Sequence, residues 1–480
     1  MDCAKSCLRR PPVNFSEEVA RMKLPSLLLK SWQATRSGRC AEDLANVTHL
    51  VGLVRGSINV EALASSVSAL IRRHKILCGR IEESESEVCI CLDESFVPRM
   101  EIVDLRQKGV EAEEDSIEAQ AKKIVHKIVW KPFEFDIHSG KSGPLFRVFL
   151  VRLSEERSIF GFVAHHILID GMSITIIGAD LDRYYKEAVC GGITSTLTPA
   201  LGFIDHFVSL DNWLASDAGR LAVRHWKEKI GNPPIFMLPP DPAARVLLQN
   251  TYQKVEFKIP RVIVEGFRDW AGKRRIRIST LFMAAYILSI SKRSGLRDCV
   301  INVTHFGRDQ MRLFKSVGFF ATHVSMRVAF FGDVSFKEFI EQIERDCEDI
   351  FGETPVSFLD DPAIRACPSF NFRDLLMEPH SHGDGLFSEL ITPEWPQLSV
   401  AENENYGNGL ILRGKRDGMW GCIFYRGDLY ASANIQESII DMLAMLSLGV
   451  EEGTQSLVRL FSSCEFPIHR KKFSQIFGAC

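Results

Sequence analysis

The sequence predicts an α/β protein (α+β sandwiches) divided into two lobes, and three observations lead to this fold class. The 480 residues exceed one ordinary hydrophobic core, and two lobes of about 200 residues each are the natural division. Helix-like and strand-like segments alternate in both halves of the chain. A stretch punctuated by glycine and proline lies between the halves. We therefore expect a first lobe over residues 1–190, an inter-lobe linker over 191–248 and a second lobe over 249–480.

The composition excludes several classes of protein. With 58 basic and 61 acidic residues the net charge is −3, so a nucleic-acid or anionic-membrane partner is not expected. No apolar run reaches the roughly 18–20 residues that span a bilayer. The basic N-terminal segment is followed by no apolar signal core. We therefore expect a cytoplasmic protein, most simply a monomer, whose thirteen cysteines are reduced thiols.

The first lobe is predicted from periodicity. Four elements come first, in the order helix, strand, strand and helix, over residues 59–77, 87–92, 99–105 and 111–130. Residues 143–168 then predict two strands joined at "SEERS", because the first alternates and the second is an apolar run. A helix follows, with Ser173 as its N-cap. Asp180 and Asp182 are expected on its polar side.

The second lobe repeats the mixture of strands and helices. Its predicted order is strand, helix, helix, strand, strand, hairpin and helix. The three strands are "YQKVEFKI", "DCVINVTHFG" and "HVSMRVAFF", and the second helix is "STLFMAAYILSISKRSG". The hairpin is "GLILRGKRDGMWGCIFYRGDLY", and the final helix is "ESIIDMLAMLSLGV". Strands and helices mixed twice over indicate two α/β sandwiches.

The stretch "GFVAHHILIDGMS", residues 161–173, carries the chemistry. Two histidines follow a predicted buried strand, and a strand end holds a side chain rigidly at the mouth of a cleft. Histidine takes and returns a proton near neutral pH, which makes His166 a candidate general base. Gly171 lets the backbone pass close to a ligand, and its N–H is a candidate oxyanion donor. Asp170 would either orient an imidazole or pair with a distant cation and fix the turn.

Two other interpretations of this stretch stay open at the level of the residues alone. His165 and His166 could be core histidines that hydrogen-bond to the backbone. A metal site is a second alternative, because a histidine and an aspartate four residues apart share a face on a helix. The strand-end position and the lack of an obvious third ligand speak against a metal.

The segment "HHILIDG" resembles the HHxxxDG motif of nonribosomal peptide synthetase condensation domains. That family belongs to a superfamily with chloramphenicol acetyltransferase and the HxxxD acyl-CoA transferases. Other segments are similar to the family in order and spacing from about residue 40 to about residue 450. They contain Arg73 with His74, Gly143-Pro144-Leu145 with Arg147, Trp226, Gly307-Arg308, "SVGFFATHVSMRV" and the closing hairpin "MWGCIFYRGDLY".

The resemblance implies two chloramphenicol-acetyltransferase-like lobes in a V shape with a central tunnel, and the motif loop at its centre. It implies that His166 acts as the general base or positions the nucleophile, and that Gly171 helps to hold the oxyanion. His165 would be structural. Asp170 would be structural too, through a salt bridge to Arg308. Tunnel-lining roles follow for four further residues: Arg73, His74, Ser369 and Asn371.

The resemblance also implies a function. The chain would be an acyltransferase that joins a thioester-activated acyl or aminoacyl donor to an amine or hydroxyl of a small acceptor. The donor would arrive on the phosphopantetheine arm of an acyl or peptidyl carrier protein, so no metal or tightly bound cofactor is expected. One alternative is a CoA-dependent O- or N-acyltransferase of the HxxxD type. Another is a catalytically silent member that only binds a carrier protein.

The sequence departs from typical synthetase modules at several points. Cys78 stands where those modules usually have an arginine, and "VGFFATHV" lacks their asparagine. We find no adenylation domain and no carrier domain with its phosphopantetheine serine. These departures predict a free-standing, divergent condensation-type enzyme.

Overall fold

The structure is a computed structural model, and it describes most of the chain. The described residues are 21–25, 28–29, 32, 47–93, 95–106, 114–136, 138–194, 202–234, 236–241, 251–308, 311–352, 361–373, 386–391, 393, 398–399, 407–415, 417–453, 456–462 and 466–477. The basic N-terminal segment and the end of the predicted linker lie outside them. Within these ranges, no helix combines the length and the apolarity needed to cross a membrane.

Helices and strands alternate along the chain, as the periodicity predicts. The helices are α1 (Val60–Arg73), α2 (Glu114–Val129), α3 (Gly171–Val189), α4 (Phe203–Ala215), α5 (Asp217–Ile230), α6 (Arg261–Lys273), α7 (Ile278–Ser294), α8 (Phe336–Gly352), α9 (Pro362–Arg365), α10 (Ser432–Glu451), α11 (Leu457–Ser462) and α12 (Phe466–Lys472). The predicted final helix is α10, so that prediction is wrong: α11 and α12 follow it.

The strands form three sheets in the described part of the chain. In chain order they are β1 (Arg21–Lys23), β2 (Val47–Arg55), β3 (Gly79–Glu83), β4 (Val88–Leu92), β5 (Met100–Asp104), β6 (Phe135–Asp136), β7 (Lys141–Ser142), β8 (Phe146–Arg152), β9 (Arg157–His165), β10 (Thr251–Pro260), β11 (Asp298–His305), β12 (Thr322–Ala329), β13 (Ser369–Arg373), β14 (Glu389–Leu390), β15 (Leu398–Ser399), β16 (Gly409–Lys415) and β17 (Gly418–Arg426).

Each half of the chain contributes most of one large sheet. The first has the order β14-β2-β9-β8-β5, and the second has the order β12-β11-β13-β16-β17-β10-β15. A small sheet, β1-β4-β3-β7-β6, accompanies the first. The predicted strand pair around "SEERS" is the antiparallel pair β8–β9, and the predicted hairpin is β16–β17. This arrangement confirms the predicted mixed α/β class.

Local sequence sets the ends of the first helix. The Asn59 side chain accepts a hydrogen bond of 2.9 Å from the N–H of Ala62 and so caps the start of α1. Arg72 and Arg73 lie in its last turn, where positive charge complements the helix dipole. Its apolar residues, which recur every three to four positions, are buried against the first sheet and α3.

The two large sheets support two separate hydrophobic cores. Phe149, Phe160 and Phe162 of β8 and β9 are fully buried in the first core. Phe257 of β10 and Phe282 of α7 are fully buried in the second core. Two sandwiches, each with its own core, are what a chain of this length is expected to form.

Both cores contain residues from outside the predicted bounds of their own lobe. Phe203 and Phe207 of the predicted linker pack in the first core, whereas Trp226 packs in the second. β14 also crosses a predicted boundary, since it lies in the second half of the chain but pairs with β2. Beside it, Phe387 packs in the first core and stacks on Phe160 with ring centroids 5.9 Å apart. The lobe boundaries at residues 190 and 248 therefore stay a prediction, with these segments crossing them.

Candidate active site

The motif loop connects the central strand β9 to helix α3. β9 ends at His165, and α3 begins at Gly171. Asp170, not Ser173, is the N-cap, so the predicted cap is wrong by one turn. The Asp170 carboxylate accepts from both the N–H and the hydroxyl of Ser173 at 2.8 Å. An N-cap accepts from the N–H three residues on, so Ser173 is the residue that is capped.

His165 is a buried structural histidine in this fold. It is 1% exposed, and its ring lies between Trp32 and Phe133, with centroids 5.9 Å and 5.8 Å away. Its Nδ1 accepts a hydrogen bond of 3.0 Å from the N–H of Ile167. Burial, helped by the charge of His166, lowers the pKa of His165 to about 3. This imidazole is therefore neutral, and it holds the start of the loop.

His166 is a partly exposed residue, in contrast to the buried His165. The ring packs on Phe319, with centroids 4.6 Å apart. Its Nδ1 is buried and has no hydrogen-bond partner of good geometry among the described residues. Burial lowers the pKa of His166, and the Arg373 guanidinium lowers it further, while the Asp170 carboxylate opposes the shift. The backbone of His166 and Ile169 also acts to raise the pKa of the ring. A neutral imidazole at pH 7 is the result.

Asp170 and Arg308 form a buried ion pair that joins the two halves of the chain. Each is 1% exposed. Arg308 donates from Nη1 to Oδ2 of Asp170 at 2.8 Å and from Nη2 to Oδ1 at 3.1 Å, a bidentate geometry. The N–H groups of Phe320 and Ala321 also donate to Oδ2, at 3.1 Å and 3.2 Å. Burial raises the pKa of Asp170, but Arg308 and these donors outweigh it and hold the pKa below its ordinary value.

Gly171 lies under the guanidinium of Arg373, a residue that the sequence analysis did not select. A Cβ at position 171 would stand 2.5 Å from Cζ of Arg373, which is closer than side chains pack. Gly171 is the first residue of α3, so its N–H has no partner within the helix. A larger residue at position 171 would displace this guanidinium, which places a cation at the helix start beside His166.

His323 at the start of β12 is a second histidine that the sequence analysis missed. It is partly exposed, and its Nδ1 is buried without a hydrogen-bond partner among the described residues. Burial and the charge of His166 lower the pKa of His323 to about 4. Ser369 and Asn371, which were predicted to line the tunnel, are partly exposed and alternate with Phe370 along β13. They therefore lie on the same face of that strand as Arg373.

Arg73 and His74 belong to a separate cluster around Asp180. The Asp180 carboxylate lies 3.0 Å from Nε of Arg73 and 2.8 Å from Nε2 of His74. Asp180 is buried, not solvated, so its predicted place on a polar helix face is wrong. It lies nine residues beyond Gly171, about 14 Å along the helix axis. The cluster ties α1 to α3, and the predicted tunnel roles of Arg73 and His74 stay predictions.

His166, Gly171 and Arg373 together provide groups that can act on a substrate. A neutral imidazole, a helix N-terminus and a guanidinium lie around one loop that is fixed by a buried ion pair. No group of three or more histidine, cysteine, aspartate or glutamate side chains is arranged to hold a metal ion in the part of the chain described. The arrangement is suited to proton transfer and to the stabilisation of a developing negative charge.

The fold is the two-lobed fold of chloramphenicol-acetyltransferase-like proteins. The family described as "Condensation domain" matches residues 43–360, so the chain belongs to the condensation-domain family. The condensation domain of the monacolin K polyketide synthase MokA has a similar structure, with a TM-score of 0.73 at 14% identity over 92% of this chain and 99% of that chain. At this sequence identity the structural similarity establishes the fold but not the function.

Curated relatives are large synthetases. Enniatin synthase from Fusarium equiseti is 22% identical over 407 residues, which are 83% of this chain and 12% of that protein. The phosphinothricin tripeptide synthetase PhsC from Streptomyces viridochromogenes is 26% identical over 294 residues, 60% of this chain and 26% of that protein. The chain thus spans a small part of the length of these relatives. Condensation domains of such synthetases form peptide or ester bonds by acyl transfer.

Proposed function

We propose that this protein is a condensing enzyme that joins a thioester-activated acyl or aminoacyl donor to an amine or hydroxyl acceptor in nonribosomal-peptide-type biosynthesis. The donor arrives on the phosphopantetheine arm of an acyl or peptidyl carrier protein, so no tightly bound cofactor is required. The observation that carries the proposal is the neutral ring of His166, which packs on Phe319 and belongs to a partly exposed residue of the motif loop. Membership of the condensation-domain family supports it.

His166 serves as the general base in this proposal. Nδ1 is buried, which leaves Nε2 as the nitrogen available to a substrate. The lone pair of the acceptor nitrogen or oxygen attacks the thioester carbonyl carbon, and Nε2 takes the proton that the nucleophile loses. The tetrahedral intermediate then collapses, the C–S bond breaks, and the thiolate leaves with the proton returned from Nε2.

Gly171 supplies charge stabilisation in the same step. Its N–H is unpaired within α3 and lies at the positive end of the helix dipole. Removing one oxyanion donor from an enzyme typically costs about 10²–10³ in kcat. Asp170 and Arg308 act as positioning residues, because they fix the loop without facing solvent. Ser369 and Asn371 contact the acceptor in this proposal.

A donor comparison tests the function. The protein is mixed with an octanoyl-loaded carrier protein or with octanoyl-CoA, together with a panel of amines and alcohols, and products are identified by mass spectrometry. We expect an amide or ester product with the carrier-bound donor. A higher yield with octanoyl-CoA would instead indicate a CoA-dependent acyltransferase. The absence of product with either donor would favour a protein that only binds a carrier protein.

A further inference from the structure

His323 belongs to a segment of the second half of the chain that contacts the motif loop. The ring of Phe319 packs on His166 with centroids 4.6 Å apart. The N–H of Ala321 donates a hydrogen bond of 3.2 Å to the Asp170 carboxylate. His323 follows Ala321 by two residues and is the second residue of β12. The chain therefore brings this imidazole to the motif loop from the opposite half of the molecule.

The side chain of His323 points away from the second hydrophobic core. Val324, Met326 and Val328 of the same strand are buried in that core. Successive side chains of a strand point to opposite faces of the sheet, so His323 lies on the face that this core does not cover. Burial, and then the charge of His166, lower the pKa of His323 to about 4. Charges influence each other appreciably only over short distances, so the two imidazoles lie near one another.

The two imidazoles share one feature besides their proximity. The Nδ1 atoms of His166 and His323 are both buried, and neither has a hydrogen-bond partner among the described residues. Buried polar atoms are almost always paired in folded proteins, so a ring with an unpaired one needs an explanation. For His166 the explanation is a ring whose Nε2 is kept for the substrate. The burial of Nδ1 in His323, a partly exposed residue, likewise leaves Nε2 as the nitrogen available to a substrate.

We propose that Nε2 of His323 accepts a hydrogen bond from the nucleophile of the acceptor, and that this nucleophile is a primary amine. Both rings then carry their proton on Nδ1, and both Nε2 atoms are hydrogen-bond acceptors. A primary amine has two N–H groups, one for each imidazole. A hydroxyl has a single hydrogen and would leave one imidazole without a partner, which disfavours it. This inference rests on the proposed function and names its acceptor class, so the product is an amide.

The two imidazoles have different tasks in the reaction. The amine lone pair attacks the thioester carbonyl carbon and forms the C–N bond, and Nε2 of His166 takes one of the two amine protons. That proton leaves with the thiolate when the C–S bond breaks. The other proton stays on the amide nitrogen, and His323 accepts its hydrogen bond without a net change of its own. A charge on His166 disfavours a second charge on His323, so a single imidazole is protonated at a time.

The first experiment compares acceptors that differ only at the nucleophile. Octanoyl-N-acetylcysteamine is the donor, and alaninamide, N-methylalaninamide and lactamide are the acceptors. We expect the wild type to favour the primary amine. We expect H323L to lower the ratio of kcat/KM for the amine to that for the alcohol by about threefold to tenfold, the usual contribution of one hydrogen bond. N-methylalaninamide has a single amine N–H, so H323L should affect it as little as it affects the alcohol. A ratio that H323L leaves unchanged, or a wild type that prefers the alcohol, would overturn the proposal.

Two conservative variants and a distant histidine supply the controls. H323Q places an amide oxygen near the position of Nε2, whereas H323N places its amide near that of Nδ1, so H323Q should keep more of the amine selectivity. H126Q removes an exposed histidine of α2 and should leave the ratio unchanged. Thermal melting of each variant separates a loss of folding from a loss of the contact. Equal losses of selectivity in H323Q and H323N would show that the packing of the ring matters and not its Nε2, which would contradict the proposal.

The second experiment needs no turnover and separates the two proposals. Histidine-selective ¹⁵N labelling with two-bond ¹H–¹⁵N NMR reports the tautomer of each ring, and the His323 signals are assigned by their absence in H323Q. N-octanoylalaninamide is the amide that the transfer would produce, and O-octanoyllactamide is the ester that lacks its linking N–H. We expect Nε2 of His323 to be unprotonated at pH 7. We expect its resonance to shift with the amide but not with the ester, in the wild type and in H166A alike, even if no donor is ever turned over. A proton on Nε2, no shift at millimolar concentration or equal shifts with both compounds would overturn the role of His323 and leave the proposed function untouched.

Discussion

At the scale of the residue, the chemistry of His166 is set by what surrounds it. Burial and the nearby Arg373 favour the neutral ring, which is the form that can accept a proton. His165, its neighbour in sequence, is fixed by a backbone N–H and two aromatic rings, and so has no accessible nitrogen to offer. Adjacent, identical side chains thus have different environments, because they point to opposite sides of the strand end.

Replacing His166 should remove activity without unfolding the protein. We expect H166A to lower kcat by about 10²–10⁴-fold, the usual contribution of a general base. Its melting temperature should change little, because the buried Nδ1 of the ring has no hydrogen-bond partner among the described residues that the change would remove. Acyl transfer is measured together with thermal unfolding, with H225A, at an exposed helical histidine, as control. Full activity in H166A would remove this residue from the mechanism.

The pH dependence should move when Arg373 is neutralised. In the wild type, kcat/KM is expected to fall on acidification through a pKa below 6.5, the ordinary value for histidine. Arg373 repels the protonated ring, so R373Q should raise that pKa and move the acid limb of the pH–rate profile to higher pH. The same substrates are used for both proteins, so titration of the nucleophile cancels in the comparison. Identical acid limbs would show that Arg373 does not act on His166.

The sequence predicts the local part of the site and misses the distant part. His166, Asp170 and Gly171 lie within six residues, so their spacing alone indicates a strand end, a turn and a helix start. Arg373 and His323 reach the site through strands that are more than 150 residues away in the chain. Their neighbours depend on sheet register, which no local pattern specifies. The one available signal for Arg373 is its position two residues after Asn371, which is predicted to line the tunnel.

At the scale of the element, the N-terminus of α3 depends on the carboxylate of Asp170. One oxygen caps the helix through Ser173, and the other accepts from the N–H groups of Phe320 and Ala321 in the second half of the chain. The sequence pattern suggested Ser173 as the cap because serine is a favoured N-cap residue. Asp170 takes that place, because the buried Arg308 holds its carboxylate at the helix start.

Breaking this ion pair should destabilise the whole fold. Asp170→Asn leaves Arg308 buried and uncompensated, and the loss of one partner of a buried pair costs about 3–5 kcal/mol. Urea unfolding of D170N, R308Q and the double variant measures the effect. We expect the double variant to lose less than the sum of the single losses, because neither charge is then left unpaired.

A surface pair supplies the control for that experiment. Arg261 and Glu265 pair on α6 with both side chains more than half exposed, so E265Q should unfold at the same urea concentration as the wild type. Additive losses in the double variant at positions 170 and 308 would show that the two residues contribute independently, which would contradict the buried pair.

At the scale of the whole molecule, the first lobe is completed by the second half of the chain. β14 adds an edge strand to the first sheet, and Leu313, Val317, Phe320 and Phe387 fill its core. Periodicity predicts many of the elements but misses others, among them β2, β3 and α8. It also assigns these residues to the second lobe, because a two-residue strand such as β14 has no periodic signature. Tertiary packing, not a local sequence pattern, determines which residues of one half of the chain enter the core of the other half.

The first half should therefore not fold by itself. A fragment of residues 1–241 lacks β14, Arg308 and Phe320, so the edge of β2 is open and Asp170 is buried without a cation. We expect weak near-ultraviolet circular dichroism and no cooperative thermal transition. Co-expression with residues 242–480 should restore both, which serves as the control. A cooperative transition in the fragment alone would show that the exchanged segments contribute little.

The ion pair between Asp170 and Arg308 has a mechanical consequence. The pair joins the two halves of the chain at one buried point, four residues from His166 in the motif loop. Separating the two residues would leave two unpaired charges, which is unfavourable. We therefore expect any relative motion of the two halves during substrate entry to be a rotation about this contact that leaves the ion pair intact. Atoms close to an axis of rotation move least, so His166, four residues before Asp170, should keep its geometry during such a motion.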